Sequence, residues 1–282
     1  MKRALVLGGG GTIGVAWLTG MAAGLAECGV NLADADRLIG TSAGSVVSGQ
    51  LAFQFDPQVL LSLQLMENGA AAPATDQFDA EAGATVWARW ATATEMTPDL
   101  TRWLCDMALK AKTMPEAAWL SVFAVLPEEM GWPEKELLIT AVDAYSGQFK
   151  VWDKTAGVPL YKAIASSCTV PGLLPPVSIN SSRYVDGGVR SGSNADLAQG
   201  CDRVLIIAPL GHIEGSLGYR NLKEEIALLE ARGSSVTLVH PDAESLDSFG
   251  TDLMSPARKA DAALAGVRQG KALAEQLAAF WR

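Results

Sequence analysis

The sequence has very few of the side chains that bind metal ions or form disulfide bonds. Its 282 residues include two histidines and four cysteines, and no two cysteines stand in a Cys-x-x-Cys pair. Metal centres and disulfide frameworks both depend on clusters of such residues. We therefore expect no metal site and no disulfide framework, which is typical of a protein from a reducing compartment.

Positive charge is also scarce. The 22 Lys and Arg residues are outnumbered by 31 Asp and Glu residues, which gives a net charge of −9. We expect no nucleic-acid partner, because an acidic chain binds polyanions poorly. Bulk charge also argues against attraction to anionic membranes, although a local basic patch leaves peripheral membrane contact open. No uninterrupted apolar stretch reaches the roughly 20 residues of a membrane-spanning helix, and we expect a cytoplasmic protein.

Apolar residues, by contrast, make up 49% of the chain, enough for a large core. Residues 4–7 and 37–39 have the pattern of short buried strands, and each leads through a glycine-containing turn into a helix pattern. Further strand patterns cover residues 137–142, 148–152, 204–209 and 236–241, and a short one runs into a glycine turn over 183–188. This alternation predicts one α/β domain over residues 1–282, with three α/β/α layers and a mainly parallel central sheet.

Two regions are predicted to be purely helical. Residues from about 56 to 134 carry prolines at the starts of helix patterns over 57–68, 79–94, 98–112 and 115–126, and form a helical insertion. We interpret their many Trp and Met residues mainly as core packing, with an apolar acyl pocket or lipid-facing rim as the alternative. Residues 256–281 are predicted to form a long C-terminal helix.

The stretch from Gly40 to Gly44 has the pattern Gly-x-Ser-x-Gly, with Ser42 at its centre. A serine at a sharp turn between a strand and a helix projects from the sheet, as in a nucleophile elbow. The glycines let the backbone turn without clashes, and the positive end of the following helix dipole points at the serine. Because the pentapeptide is common by chance, an ordinary serine in a tight turn remains the alternative.

The glycine loop over residues 8–14 fits Gly-x-Gly-x-x-Gly and lies between a strand and a helix. A dinucleotide site, as in a nucleotide-dependent oxidoreductase, would need an acidic residue at the end of the second strand. Asp34 and Asp36 instead precede that strand. The alternative is an oxyanion hole, in which backbone amides converge on one developing negative charge. The candidate donors are Gly9, Gly10, Gly11 and Thr12, which share an edge with Ser42 if the first two strands are neighbours.

A nucleophilic serine also needs a base. Ser42, Asp186 and His240 stand in the chain order of a hydrolase triad, although His240 and His212 could equally be loop residues without a role. Asp186 ends a short strand and precedes Gly187-Gly188, a turn that allows a carboxylate to approach another backbone closely. An ordinary carboxylate is a weak base, and desolvation would raise its pKa. The residues alone leave both alternatives open.

Four features stand together in this sequence: the loop over 8–14, the serine turn over 40–45, the proline-containing segment over 171–176 and the motif over 184–188. In this order and spacing they resemble the patatin-like phospholipase family. The resemblance covers residues 1–55 and about 135–210 well, and the rest in outline. It implies a lipid acyl hydrolase or esterase that cleaves carboxylic ester bonds of phospholipids or other acyl lipids. Such an enzyme uses a Ser–Asp dyad with no catalytic histidine and no cofactor.

By position, the resemblance implies that Ser42 is the nucleophile and Asp186 the general base. The oxyanion hole would consist of amides from Gly9, Gly10, Gly11 and Thr12, and the glycines of the two motifs are Gly40, Gly44, Gly187 and Gly188. The expected partner is an acyl lipid or ester substrate. The resemblance implies no particular oligomeric state.

The sequence departs from the family pattern in two places. Many members have Lys or Arg where this chain has Ile13, which favours neutral or simpler esters over a phosphate-bearing lipid. Members often carry Asn-x-Pro shortly after Asp-Gly-Gly, whereas this chain has Asn194 without the proline. A catalytically silent lipid-binding protein on the same fold remains an alternative.

Overall fold

The computed structural model describes residues 1–66, 80–123 and 131–281. Its strands are β1 (Arg3–Leu7), β2 (Arg37–Gly40), β3 (Glu136–Asp143), β4 (Phe149–Trp152), β5 (Val177–Ile179), β6 (Ser182–Asp186), β7 (Arg203–Ile207) and β8 (Ser235–Val239). Its α-helices are α1 (Gly11–Glu27), α2 (Ala43–Ala52), α3 (Pro57–Leu65), α4 (Ala80–Thr92), α5 (Pro98–Lys110), α6 (Glu116–Ser121), α7 (Leu160–Ser167), α8 (Leu217–Ala231), α9 (Ala243–Phe249) and α10 (Lys259–Trp281).

The strands form one mixed sheet in the order β5-β6-β3-β2-β1-β7-β8, and β4 also pairs with β3. Strands β1, β2, β3, β7 and β8 are parallel, and the pairs that β4, β5 and β6 make are antiparallel. Since β1 and β2 are neighbours, the loops that follow them lie at the same edge of the sheet. The condition for the glycine loop to lie near Ser42 is therefore met.

Helices cover both faces of the sheet. Leu5 and Leu7 of β1 pack into a core cluster with α1, α2 and α10, whereas Ala4 and Val6 face the opposite way and pack with α8. This alternation follows from the pleat of a strand that is buried on both sides. The predicted α/β fold with a mainly parallel sheet between helical layers is confirmed.

Three strands meet at β3 in an arrangement that positions the site. Strand β4 pairs with Ile139 to Val142 of β3, so it occupies one edge of β3 along that stretch. Strand β2 pairs as far as Ile139 and β6 from Ala141 onward, which places both on the other edge. Since β2 is parallel and β6 antiparallel to β3, their carboxyl ends run toward each other, with Thr140 between them.

Most helices of the insertion begin where the prolines of the sequence predict them. Three of the helices, α3, α5 and α6, begin at or directly after the predicted prolines. The parts of the predicted helices at 67–68, 79 and 124–126 lie outside the described residues. Leu104 of α5 and Val86 of α4 pack on Val142 and Val185 of the sheet, as core packing predicts. Trp87, by contrast, leaves half of its surface exposed.

The predicted C-terminal helix, α10, lies along α1 at very short range. A Cβ added at Gly20 of α1 would overlap the carbonyl oxygen of Ala263, and one added at Gly266 of α10 would overlap that of Trp17. Only glycine allows two helix backbones to approach so closely. The C-terminal helix is thereby packed against the helix that follows the glycine loop.

Two short elements were not predicted from the sequence. The strand β5 has three residues and the helix α9 has seven, so each is shorter than the window over which its pattern can be recognised. Among the described helices, none combines the length and apolar character needed to cross a bilayer.

Candidate active site

Ser42 lies at the turn between β2 and α2, with φ 52° and ψ −122°. A positive φ is unusual for a residue with a side chain and is retained where the surroundings enforce it. The flanking glycines show why. A Cβ at Gly44 would overlap the carbonyl oxygen of Leu7, and one at Gly40 would overlap the side chain of Ser48. The turn therefore holds Ser42 in the geometry of a nucleophile elbow.

The end of α7 fixes the backbone of this turn. The N–H of Ser42 donates to the hydroxyl of Ser167 at 3.0 Å. Its carbonyl oxygen accepts hydrogen bonds from Ser45 Oγ at 2.6 Å and from Cys168 Sγ at 3.3 Å. Burial raises the pKa of the Cys168 thiol, so this group stays a neutral donor. The sequence gives no signal for the roles of Ser167 and Cys168, because nothing in their local pattern distinguishes them from ordinary helix-end residues.

Asp186 ends β6 and is 2% exposed. Its backbone N–H donates to Thr169 O at 2.9 Å, which ties the strand to the segment that follows α7. Its carboxylate accepts a hydrogen bond from the N–H of Gly188 at 2.7 Å, and it lies close enough to the Ser42 hydroxyl for that group to lower its pKa. The structure thus brings the two residues of the predicted dyad together.

Burial raises the pKa of Asp186 to about 7, against the opposing effect of the Gly188 N–H and the Ser42 hydroxyl. The low-dielectric surroundings disfavour the charged carboxylate more strongly than two donors favour it. A carboxylate of this basicity can accept a proton at neutral pH far better than an ordinary aspartate.

The turn after Asp186 requires glycine. A Cβ at Gly187 would overlap the hydroxyl of Thr140, which lies in the gap between β2 and β6. A Cβ at Gly188 would lie 2.9 Å from the Asp186 carboxylate. The two glycines therefore allow the backbone to curl around the carboxylate and donate to it.

The glycine loop lies directly beside Ser42. A Cβ at Gly9 would lie 3.3 Å from the Cβ of Ser42. Gly9 was expected to supply an oxyanion donor, but its N–H donates to Gly192 O at 2.9 Å and is not free. For Gly10, Gly11 and Thr12, at the start of α1, no acceptor occurs among the described residues. These three amides are the unpaired donors expected at a helix N-terminus.

The geometry of the described residues supports neither of the two alternatives, a histidine triad and a dinucleotide site. His240 Nδ1 lies 3.1 Å from Pro241 O, and in the described part of the chain neither histidine hydrogen-bonds with Ser42 or Asp186. Asp36 accepts a hydrogen bond from the N–H of Arg3, at the start of β1, so it lies at the sheet edge opposite the glycine loop. Asp186 lies near Ser42 without an intervening histidine.

Two residues of the helical insertion border the site. Trp90 of α4 would be 3.8 Å from a Cβ at Gly188, and Val86 would be 2.9 Å from one at Gly172. A cavity of about 500 Å³ lies beyond, between α5 and the β3–β4 turn, lined by Arg190 but by neither Ser42 nor Asp186. No group of three metal-ligating side chains occurs among residues 1–66, 80–123 and 131–281.

The family model described as patatin-like phospholipase matches residues 5–198, a span that includes Ser42 and Asp186. Among solved structures, VipD from Legionella pneumophila is similar over 98% of this chain and 67% of its own, with 12% identity and a TM-score of 0.47. The type III effector protein ExoU is similar over 97% of this chain and 53% of its own, with 15% identity and a TM-score of 0.43. This chain thus spans about two thirds and half of their lengths. No curated protein gives a match.

Proposed function

Because the chain belongs to the patatin-like phospholipase family, we propose that it hydrolyses carboxylic ester bonds of acyl lipids with Ser42 as nucleophile and Asp186 as general base. Family membership supports lipid ester hydrolysis in general. The assignment of the two residues is supported by their proximity at the facing ends of β2 and β6.

The first half of the reaction forms an acyl-enzyme. Asp186 takes the proton of the Ser42 hydroxyl while Oγ attacks the ester carbonyl carbon. The negative charge that develops on the carbonyl oxygen is stabilised by the amides of Gly10, Gly11 and Thr12 and by the positive end of α1. The intermediate then expels the alcohol, which leaves with the proton from Asp186, and the acyl group stays on Ser42.

The second half releases the acyl group. Asp186, again a carboxylate, removes a proton from water as the water attacks the acyl-Ser42 carbonyl. The same amides stabilise the second oxyanion. When this intermediate collapses, Ser42 regains its proton from Asp186 and the fatty acid leaves. No metal or redox group takes part in any of these steps.

The residue at the family's usual basic position favours an uncharged ester. Ile13 is fully buried in the core, and its N–H donates to Leu253 O at 3.1 Å. This position therefore offers no cation to a lipid phosphate. We propose that neutral glycerides or simple fatty-acyl esters are cleaved faster than phospholipids.

The proposal is tested with a fluorophosphonate probe and p-nitrophenyl esters of increasing acyl length. The wild type is expected to be labelled at Ser42, as identified by mass spectrometry of the labelled peptide. Ser42→Ala is expected to lose labelling and hydrolysis, and Asp186→Asn to lose at least about 1,000-fold in kcat. His240→Ala, the control for a histidine triad, is expected to keep most of both.

Two outcomes would contradict the proposal. A strong loss in His240→Ala would assign the base to a histidine. A folded wild type with neither labelling nor hydrolysis across a panel of glycerides and phospholipids would favour a lipid-binding role on the same fold.

A further inference from the structure

Asn194 combines complete burial with an unusual backbone conformation. It lies in the loop that follows the Asp186–Gly188 turn, is 0% exposed, and has φ 51° and ψ 38°. Asn tolerates this left-handed conformation better than most residues, but glycine tolerates it best. A polar side chain that is retained here and buried must be satisfied by hydrogen bonds.

The Asn194 side chain touches the residues next to both members of the dyad. Its amide nitrogen lies 3.0 Å from Thr41 Oγ1 and 3.3 Å from Gly187 O. Thr41 directly precedes Ser42, and Gly187 directly follows Asp186. The same nitrogen also lies 2.7 Å from Ser191 O and 3.4 Å from the Thr140 hydroxyl.

The orientation of this amide group is fixed from the other side. Its oxygen accepts a hydrogen bond from Arg190 Nη1 at 2.8 Å, so the nitrogen must face Thr41. Arg190 is held in turn by two bonds to Asp196, at 2.9 and 2.7 Å. The side chain of Asn194 is therefore preorganised rather than adaptable.

The loop around Asn194 is anchored to α8 by a buried carboxylate. Glu225 accepts hydrogen bonds from Ser193 Oγ at 2.7 Å and from the N–H of Ala195 at 2.9 Å. These are the two neighbours of Asn194 in the chain. Because both chain neighbours of Asn194 are bound to Glu225, the position of Asn194 relative to Thr41 and Gly187 is held fixed.

We propose that Asn194 is a positioning residue that sets the separation of Ser42 and Asp186 by clamping the facing ends of β2 and β6. This inference rests on the proposed function. The two strand ends belong to segments about 145 residues apart in the sequence, and both reach the dyad through short turns. Proton transfer is sensitive to the donor–acceptor distance, so a displacement of about 1 Å far from the substrate can cost 100-fold in rate.

The test is Asn194→Gly, because glycine accepts the left-handed backbone and removes only the side chain. We expect kcat to fall about 10- to 100-fold while KM changes less than twofold. Labelling by the fluorophosphonate should slow in parallel. The acidic limb of the pH profile should move to higher pH, since the nearby Ser42 hydroxyl lowers the pKa of Asp186 and would lie farther from it. The Cys168 thiol, which also faces Asp186, remains neutral throughout.

Asn180 provides a matched control. It has the same left-handed backbone, with φ 54°, but lies exposed at the β5–β6 turn. Asn180→Gly is expected to leave kcat, KM and the pH profile unchanged. Thr41→Val is a second variant, which removes the hydroxyl partner of Asn194 and keeps the shape of the side chain. It should show the same loss in kcat, so it tests the proposal even where Asn194→Gly fails to fold.

Crystal structures of the wild type and the variant separate this inference from the proposed function. Widening between Ser42 Oγ and the Asp186 carboxylate supports the clamp, whether or not the wild type hydrolyses the esters tried. An unchanged distance, or a folded Asn194→Gly with wild-type kcat, overturns it. An inactive wild type in which the variant still widens this distance would count against the hydrolase assignment alone.

Discussion

Gly40 and Asp186 pair with the same edge of β3, at Ile139 and Ala141, so the strands that end in them face each other across a single residue. The proposed nucleophile, Ser42, follows one strand end by two residues, and the proposed base, Asp186, is the other strand end. This arrangement brings the hydroxyl and the carboxylate together without a third side chain. It also buries the carboxylate, and burial determines how basic it is.

The first prediction concerns the pH dependence of hydrolysis. Only the carboxylate form of Asp186 can accept the proton of Ser42, and burial raises its pKa to about 7. We expect kcat/KM to rise about tenfold per pH unit below 7 and to level off above it. Steady-state assays from pH 4.5 to 9 would measure this limb.

The control for this limb is His240→Ala, because histidine is the usual general base of a serine hydrolase triad. The limb should persist in this variant. A midpoint near pH 4 would show that Asp186 behaves as a solvated carboxylate, and a limb that disappears with His240 would assign the titration to the histidine.

Much of the fold is predictable because its signals are local. The strand over β1, the glycine loop and the elbow around Ser42 each carry a pattern within a few residues, and the hairpin of β3 and β4 carries a turn. Each of these patterns arises either from the steric limits of the backbone or from the burial of one face of the element. Strand β5 and helix α9 are too short for such a pattern.

The sequence does not reveal how distant segments meet. That β6 runs antiparallel to β3 and meets β2 end to end is a property of the assembled sheet. The Gly9 amide looked available as a donor, but a carbonyl from residue 192 occupies it. The hydrogen bonds of Ser167 to Ser42 and of Asn194 to Thr41 likewise form only when segments more than 100 residues apart in the sequence meet. The basicity of Asp186 depends on burial in the same way.

A second prediction follows from the same pKa for stability. In the folded state Asp186 holds its proton up to about pH 7, whereas in the unfolded chain it loses it near pH 4. The folded state binds more protons in this window, so stability falls as pH rises from about 4 to 7 and stays reduced above. Asp186→Asn should therefore raise the melting temperature at pH 8 and change it little at pH 4.

The size of this effect is bounded by about 1.4 kcal/mol per pKa unit, which allows several kcal/mol for so large a shift. Asp143→Asn is the control, because the pKa of Asp143 is shifted in the opposite direction. Desolvation would raise this pKa, but hydrogen bonds from Ser182 and from the Tyr145 and Ser146 amides lower it. Its stabilisation is present at neutral pH and is lost in acid, so Asp143→Asn should destabilise at pH 8. Equal melting temperatures of wild type and Asp186→Asn at pH 8 would contradict the prediction that the buried charge of Asp186 destabilises the folded state.

A third prediction tests the backbone crowding at the elbow. Gly44→Ala would drive a methyl group into the carbonyl oxygen of Leu7, which is backbone and cannot rotate away. We expect a loss of about 1–3 kcal/mol in the free energy of unfolding, together with a large drop in fluorophosphonate labelling of Ser42. Chemical denaturation and labelling rates would be measured on the same preparations.

Gly192→Ala is the matched control for this change. It lies beside the same loop and accepts the Gly9 hydrogen bond through its backbone, but an added Cβ there meets nothing within 4 Å. Stability and labelling should remain at wild-type values. A Gly44→Ala protein that reacts as fast as the wild type would show that α2 can shift away from β1 without disturbing Ser42.

The last prediction concerns α10, which lies outside the residues matched by the family model but packs along α1. Gly20→Ala would overlap the Ala263 backbone, so the two helices must separate and expose apolar surface on both. We expect a loss of about 1–3 kcal/mol. The loss should appear as a shift of one cooperative unfolding transition, if residues 1–282 form one domain.

Gly218→Ala is the control, since this exposed helical glycine has no atom closer than 4.0 Å to an added Cβ, and alanine there should stabilise by about 0.5 kcal/mol. A separate early transition in Gly20→Ala, with the rest of the protein still folded, would instead show that α10 detaches without unfolding the sheet.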